Sequence, residues 1–206
     1  MSSNNGENIM NAFEVVKKTY ESVDKLIKSI MNNYDDSKYI MSTKKYLRWK
    51  SDNDYRAWYI NSFILCFQRT KDGEVKENGW IDSPLYCIDI NFWRDMVKQN
   101  GQKEPQVYIA KMKYKGMEKW SEGISPSDHY CISQPLHADK DKYEEKIIDS
   151  IIIKTPKKEY KNEIENKFWG LEKVTYMSIP LLSLNSDNYL DIIFNESIEK
   201  LAEYDK

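Results

Sequence analysis

Residues 9–34 read IMNAFEVVKKTYESVDKLIKSIMNNY, and they carry the strongest periodic pattern of the chain. Large apolar residues follow one another there in alternating steps of four and three, at Ile9, Phe13, Val16, Tyr20, Val23, Ile27, Ile30 and Tyr34. This spacing places all of them on one side of an α-helix. We therefore predict a long N-terminal helix from Asn8 to about Met31 with one buried face, preceded by disorder over residues 1–7.

Beyond this helix the apolar residues alternate with a period of two, which is typical of β-strands. The alternating segments are residues 46–50, 55–69, 85–93, 106–115, 130–133 and 173–180. Most of them follow one another without a helical crossover, so we predict an α+β fold with a mainly antiparallel, curved sheet. Residues 186–201 predict a C-terminal helix, and both terminal helices are expected to pack on the sheet. Residues 141–153 carry helical and strand signals together, and both interpretations stay open.

The composition favours one globular domain over residues 1–206. Hydrophobic residues make up 40% of the chain, which is enough for a core and excludes general disorder. We find no signal peptide, and no apolar run approaches the roughly 18 residues of a membrane-spanning helix. Three widely spaced cysteines, Cys66, Cys87 and Cys131, favour buried free thiols over a disulfide framework. We therefore expect a cytoplasmic protein without membrane contacts.

The common catalytic motifs are absent from the sequence. There is no GxxxxGK[ST] loop, no GxGxxG loop and no GxSxG elbow, and the chain has only 7 glycines with which to build a degenerate version. This excludes P-loop NTPases, dinucleotide-dependent oxidoreductases and α/β-hydrolases. We expect no cofactor.

The only two histidines lie close together in the sequence, interleaved with a thiol and flanked by carboxylates. The cluster comprises Asp128, His129, Cys131, His137 and Asp139. Zinc takes such ligands, and Cys87 is a conceivable fourth one. The spacing H-x-C-x5-H follows no tetrahedral pattern, however, and we predict that Cys131 points inward from a strand. We therefore expect no metal, with His129, Cys131 and His137 as the candidates if one binds.

A hydrolytic triad is a second interpretation of the same region. Ser125, Ser127, Asp128 and His129 supply the residue types. Neighbours in sequence seldom converge in triad geometry, which is built from separate elements. Because Pro126 lies among them, we interpret the segment as a turn.

A metal-dependent nuclease is the best enzymatic alternative. Its core needs an Asp on one strand and an acidic-x-Lys pair on the next, so that two carboxylates hold Mg²⁺. Asp89 precedes a suitable strand, but Ile109 stands where the acid before Lys111 should be. Asp149 with Glu165-Asn-Lys167 has the right residues, although the second half lacks strand character.

Basic residues interleave with aromatic residues in two regions. The first contains Arg48, Trp49, Arg56 and Trp58, and the second contains Lys111, Lys113 and Trp120. In a nucleic-acid-binding protein the cations contact phosphates and the rings stack on bases. A sheet that buries its rings and exposes its lysines explains the same pattern without a ligand. The net charge of −2 weakens the nucleic-acid interpretation.

Taken together, these features favour a non-enzymatic binding or accessory protein. We expect it to act through protein–protein contacts, including self-association, or through an aromatic-lined pocket for a small molecule. Trp, Tyr and Arg dominate binding hot spots, and the chain has 6 Trp and 15 Tyr. Only four of its 31 basic residues are arginines, a bias of A/T-rich coding that suggests a bacterial or phage protein of the defence or immunity type. Nuclease and nucleic-acid-binding functions are the alternatives.

Overall fold

The computed structural model describes residues 3–92, 104–121, 123–137 and 140–204. The side chain of Arg56 and the whole of Asp139 lie outside this description. Contacts divide the chain into two compact units, Met1–Tyr34 and Asp35–Lys206.

The first unit is a single helix, α1 (Ser3–Asn33). It begins at Ser3, five residues before the predicted start at Asn8. The solvent exposure of the apolar stripe differs along the helix. Ile9, Phe13 and Val16 are exposed, and the buried members are Val23, Ile27 and Ile30.

The second unit is built on a sheet whose seven described strands all pair in an antiparallel sense. The strands are β1 (Tyr39–Met41), β2 (Ser62–Arg69), β3 (Leu85–Asn91), β4 (Gln106–Tyr114), β5 (Tyr143–Ile148), β6 (Ile151–Pro156) and β7 (Leu171–Pro180). Their order across the sheet is β1-β2-β3-β4-β7-β6-β5, and the sheet does not close into a barrel. The predicted α+β class with a mainly antiparallel sheet is confirmed.

Most of the ambiguous segment 141–153 belongs to a β-hairpin that begins at Tyr143, and its first two residues belong to a 3-10 turn. Strands β5 and β6 pair directly, and Ile148 faces Ile151 across the turn. The two turn residues, Asp149 and Ser150, have φ values of 47° and 67°. Positive φ at both central positions gives the turn a twist that matches the flanking strands, and the β-branched run Ile151-Ile152-Ile153 favours extended structure.

The predicted strand over residues 130–133 is wrong, because this segment is helical. Helix α2 (His129–His137) follows a helical turn that starts with a capping box. There the Asp128 carboxylate accepts a hydrogen bond from the Ser125 backbone N–H at 3.0 Å, and Pro126 occupies the first helical position. Both features initiate helices, and this local signal outweighs the short alternating pattern.

Two other predicted strands are shorter than expected. Residues 46–50 contribute only an isolated bridge between Leu47 and Ile64. The long strand expected from Tyr55 begins at Ser62, and residues 55–57 form one 3-10 turn instead. The chain between Leu47 and Ser62 is therefore a loop that contains this single 3-10 turn.

The remaining helices are α3 (Lys161–Lys167) and a C-terminal segment, in which a π-helix (Asp191–Ile198) continues into α4 (Glu199–Glu203). The C-terminal segment packs on the sheet, as predicted. The ring of Phe194 lies 4.8 Å from that of Tyr39 and 5.3 Å from that of Phe67. Among the described residues, no helix combines the length and apolar character needed to cross a membrane.

The opposite face of the sheet is covered by α2 and α3. Ile132 and Leu136 of α2 and Ile164 of α3 share one buried cluster with residues of β2, β3 and β4 such as Cys87 and Ala110. Asp89 and Asn91 continue the same face of β3 toward its end. Polar side chains are thus placed at the edge of an apolar core, under α2.

Candidate functional site

A buried polar network lies where β2 and β3 meet beneath α2. Ser62 pairs with Asn91 across the two strands, and Ile64 pairs with Asp89. The Ser62 hydroxyl donates to Asp89 Oδ1 at 2.7 Å, and the Asn91 amide donates to Asp89 Oδ2 at 3.1 Å. Since Asp89 is fully buried, these bonds replace the water that a carboxylate otherwise needs.

Both histidines join this network from the two ends of α2. His137 Nε2 lies 2.6 Å from Asp89 Oδ2, and His129 Nε2 lies 2.7 Å from Ser62 Oγ. The ring of His137 also packs edge-on against Tyr108, with centroids 4.5 Å apart. Both ends of α2 are therefore connected to Asp89 of the sheet, directly by His137 and through Ser62 by His129.

The proton positions follow from the charge on Asp89. Burial disfavours that charge, but the hydrogen bond and electrostatic field of His137, with the bonds from Ser62 and Asn91, outweigh burial and lower the pKa of Asp89. An ionised carboxylate only accepts hydrogen bonds. Ser62 therefore donates to Asp89, and His129 must donate from Nε2–H to the Ser62 oxygen.

His129 is neutral in this arrangement. Burial is the largest influence on this side chain and lowers the pKa of His129, while the charge of Asp89 opposes the shift and His137 adds to it. His137 likewise donates from Nε2 to Asp89. Asn91 Nδ2 lies 3.3 Å from the same His137 nitrogen. Both atoms donate to Asp89, so two donors lie side by side there.

The network lacks the order of a hydrolytic triad. In a triad, histidine stands between the carboxylate and the nucleophile and accepts the hydroxyl proton. Here Ser62 stands between Asp89 and His129, and its proton points to the carboxylate. Ser62 is also buried. The residues weighed as a second triad, Ser125, Ser127, Asp128 and His129, form a helical turn instead, in which Ser125 and Asp128 make the capping box before α2.

The structure does not assemble the proposed metal ligands. Cys131 lies buried on α2 rather than on a strand, and His129 and His137 bind different polar partners. Within the described part of the chain, no group of three or more His, Cys, Asp or Glu side chains is placed to hold a metal ion.

The carboxylates of the nuclease alternative are also separate. Asp149 lies in the β5–β6 turn, where the Tyr204 hydroxyl donates to it at 3.3 Å. Glu165 lies on α3 and accepts from Lys115 at 3.0 Å. Asp89 is held in the core by the network described above.

The first basic–aromatic group falls in an exposed loop, residues 48–60, which we call the aromatic loop. It contains four exposed rings: Trp49 (40% exposed), Tyr55 (70%), Trp58 (70%) and Tyr59 (53%). The loop is anchored at its start and bridged internally. Arg48 N–H donates to the Pro126 carbonyl at 3.2 Å, and Ser51 N–H donates to the Ala57 carbonyl at 3.4 Å.

The second basic–aromatic group is dispersed. Lys111 is buried, and its ammonium donates to the carbonyls of Leu201 and Ala202 at 3.3 and 3.2 Å. Lys113 is exposed and lies 3.7 Å from Glu172. Trp120 is half-buried and belongs to a cluster of four rings with Trp80, Tyr114 and Trp169.

The sequence pattern indicated His129 and His137 as one cluster and Asp89 as a separate candidate, but it gave no indication of Ser62, which connects Asp89 to His129. The available signal was in β3, where Asp89 and Asn91 interrupt the apolar face of a strand. No protein-family model matches the sequence, and no curated protein or solved structure shows significant similarity to it.

Proposed function

We propose that this protein is a non-enzymatic binding protein of the accessory or immunity type, and that it attaches to a protein partner through the aromatic loop. The observation that carries the proposal is the exposure of Trp49, Tyr55, Trp58 and Tyr59 within one short loop. Isolated exposed apolar residues are ordinary, whereas a concentration of large ones marks an interaction surface.

The residue types of the loop suit a protein interface. Trp and Tyr supply large contact areas with few rotatable bonds, and they are enriched in binding hot spots. The charged neighbours have both signs, with Arg48 and Lys50 beside Asp52 and Asp54. A mixed polar rim around aromatic anchors is the usual anatomy of a protein–protein interface.

The loop is also held in place before any partner binds. Leu47 bridges to Ile64 of β2 at its start, and Trp58 N–H donates to the Tyr55 carbonyl at 3.2 Å. Restricting a loop in advance reduces the entropy lost on association. By contrast, the reactive side chains of the Asp89 network are buried and bonded to one another, which favours binding over catalysis.

The test compares immobilised full-length chains as baits for proteins of the native cell. Trp58→Ala and Tyr55→Ala remove exposed rings, and Tyr130→Ala removes an exposed ring of α2 (51% exposed) as the matched control. We expect a partner that both loop variants lose and that Tyr130→Ala retains. Calorimetry with the purified partner must then give a Kd that rises at least about tenfold on Trp58→Ala, which corresponds to about 1.4 kcal/mol.

Two results would overturn the proposal. One is a partner that binds the loop variants and the wild type equally, since the rings would then play no part. The other is captured material that disappears on nuclease treatment, since the loop would then recognise nucleic acid. Unchanged melting temperatures of the variants show that any loss of binding is local.

A further inference from the structure

Helix α3 ends in a conformation that is unfavourable for the residue that adopts it. Trp169 has a φ of 54°, in the left-handed region where a bulky side chain is an outlier. Gly170 N–H donates to the Glu165 carbonyl at 2.7 Å, which closes a Schellman motif with Trp169 at the position that glycine or asparagine normally takes. Tryptophan at this position therefore calls for a reason other than the turn.

Core packing supplies part of that reason, because Trp120 and Trp169 both pack against the buried cluster beneath α2 and α3. The ring of Trp169 lies 5.2 Å from that of Trp120 at an angle of 65°, but both residues are only half-buried. Together they line a cavity of about 380 Å³, which Ile124, Lys119 and Asp128 also line. Binding sites for small molecules occupy about 300–1,000 Å³, and backbone strain concentrates at such sites.

The lining side chains indicate the class of ligand. Indole faces attract cations, and quaternary ammonium and guanidinium groups bind to them well because they carry little water. The carboxylate of Asp128 adds a negative charge at the same wall. Lys119 opposes a cation, but it is exposed and its long stem lets the ammonium turn to solvent.

The geometry points to a binding site for an organic cation in the cavity of Trp120 and Trp169. The cation is a quaternary ammonium or guanidinium group, carried either by a free small molecule or by a basic side chain of a peptide. This inference does not rest on the aromatic loop.

The experiment is a titration of the full-length chain by calorimetry and ligand-observed NMR, with two matched pairs of probes. Choline is compared with its neutral isostere 3,3-dimethyl-1-butanol, and acetyl-arginine amide with acetyl-citrulline amide. We expect at least one cation to bind about fivefold or more tightly than its neutral isostere. Preference for choline identifies a quaternary ammonium as the recognised group, and preference for the arginine probe identifies a guanidinium. Titration with the same group on a free molecule and within a short peptide then distinguishes the two sources.

Three variants show which residues form the site and whether the ligand that binds there is a cation. Trp169→Asn tolerates the left-handed backbone and removes the ring, so affinity should fall at least about fivefold. Asp128→Asn keeps an oxygen for the Ser125 N–H and should weaken cation binding, whereas Lys119→Gln should strengthen it. Trp58→Ala in the aromatic loop should leave the titration unchanged, which separates this test from that of the proposed function.

The inference is overturned if neither cation binds, or if each neutral isostere binds as tightly as its cation. It is also overturned if Lys119→Gln weakens binding, because the ligand would then be anionic. Circular dichroism of Trp169→Asn and Asp128→Asn confirms that both variants are folded, and binding retained by a folded Trp169→Asn excludes this cavity.

Discussion

Among the individual side chains, His129 contributes to the response of the protein to mild acid. Its pKa is lowered in the folded state, chiefly by burial, whereas an unfolded histidine titrates near about 6.5. Between the folded pKa and that value, the unfolded chain binds more protons than the folded chain. The free energy of unfolding therefore falls as the pH falls through this window.

We predict that the free energy of unfolding decreases when the pH is lowered from about 7.5 to 5. His129→Gln retains an N–H donor for Ser62 but does not titrate, so its stability should change less over the same range. Urea unfolding at a series of pH values measures both slopes. The carboxyl of Asp89 does not interfere, because its depressed pKa confines its contribution to lower pH. Equal slopes for the two proteins would contradict the assignment to His129.

The environment of some individual residues could be predicted from the sequence, and that of others could not. The three cysteines are free and buried, as predicted, because an odd number of thiols with apolar neighbours is itself informative. The role of Ser62 was not predictable, since it depends on the pairing of Ser62 with Asn91. Serine is common at strand ends, and no local pattern specifies its partner on another strand.

On each face of the sheet, the side chain of one buried lysine reaches the carbonyl groups at the end of a helix. Lys154 of β6 donates to the carbonyls of Pro135 and Leu136 in α2 at 3.0 and 3.4 Å. Lys111 of β4 serves the C-terminal helix in the same way. The last carbonyls of a helix lack intrahelical partners and carry partial negative charge, so each ammonium stabilises a helix end.

Lys111→Met should lower the free energy of unfolding by about 1–3 kcal/mol. Methionine fills the apolar path of the side chain, but it removes the ammonium donor of the Ala202 carbonyl and leaves the Leu201 carbonyl with the long 3.4 Å bond from the Tyr204 N–H. Lys113→Met is the matched control two residues along the same strand. Lys113 is exposed and forms a surface ion pair with Glu172, so its loss should cost less than about 0.5 kcal/mol. Chemical denaturation distinguishes them, and equal effects would contradict a capping role for Lys111.

Sequence reasoning treated Lys111 and Lys113 alike, because both occupy the same face of one alternating strand. Which of them lies beneath a helix end depends on tertiary packing. The helix α2 shows a different kind of failure, since its capping box was readable in Ser125-Pro-Ser-Asp128 and only its apolar spacing was ambiguous. Long periodic segments such as α1 and β4 were predicted well because many residues repeat one signal.

In α1, two apolar residues of one stripe should respond differently to the same change. Val23→Asp places a carboxylate at a position that is only 4% exposed, which costs several kcal/mol of a total stability of roughly 5–15. Phe13→Asp changes a residue that is 70% exposed and should leave the melting temperature nearly unchanged. Differential scanning calorimetry measures both, and a Val23→Asp variant as stable as wild type would contradict the burial of this position.

The charge distribution of the protein argues against nucleic acid as the partner. The net charge is −2, Lys111 is committed to a helix end, and the exposed aromatic loop carries Asp52 and Asp54 beside its cations. Phosphate binding needs several cations on one surface, and each contact adds about 0.7–0.9 to the salt dependence of the logarithm of affinity.

We therefore predict no salt-dependent binding of single-stranded or duplex oligonucleotides at physiological ionic strength. Fluorescence anisotropy with labelled oligonucleotides is the measurement. Charge reversal of Lys50 tests the aromatic loop, and charge reversal of Lys113 tests the sheet. Micromolar affinity that falls with added salt and is lost with either reversal would show that a local basic surface outweighs the overall charge.

The strand order has a consequence for the nascent chain. Strands β1–β4 form one local meander and β5–β7 another, and the two join where β4 pairs with β7. Lys113 is synthesised sixty residues before its partner Lys173, so at about 5–20 residues per second the edge of β4 waits about 3–12 s for its neighbour. An open edge is a template for wrong pairing. The residues between β4 and β7, which form α2, β5, β6 and α3, thus set the period during which this edge is open to wrong pairing.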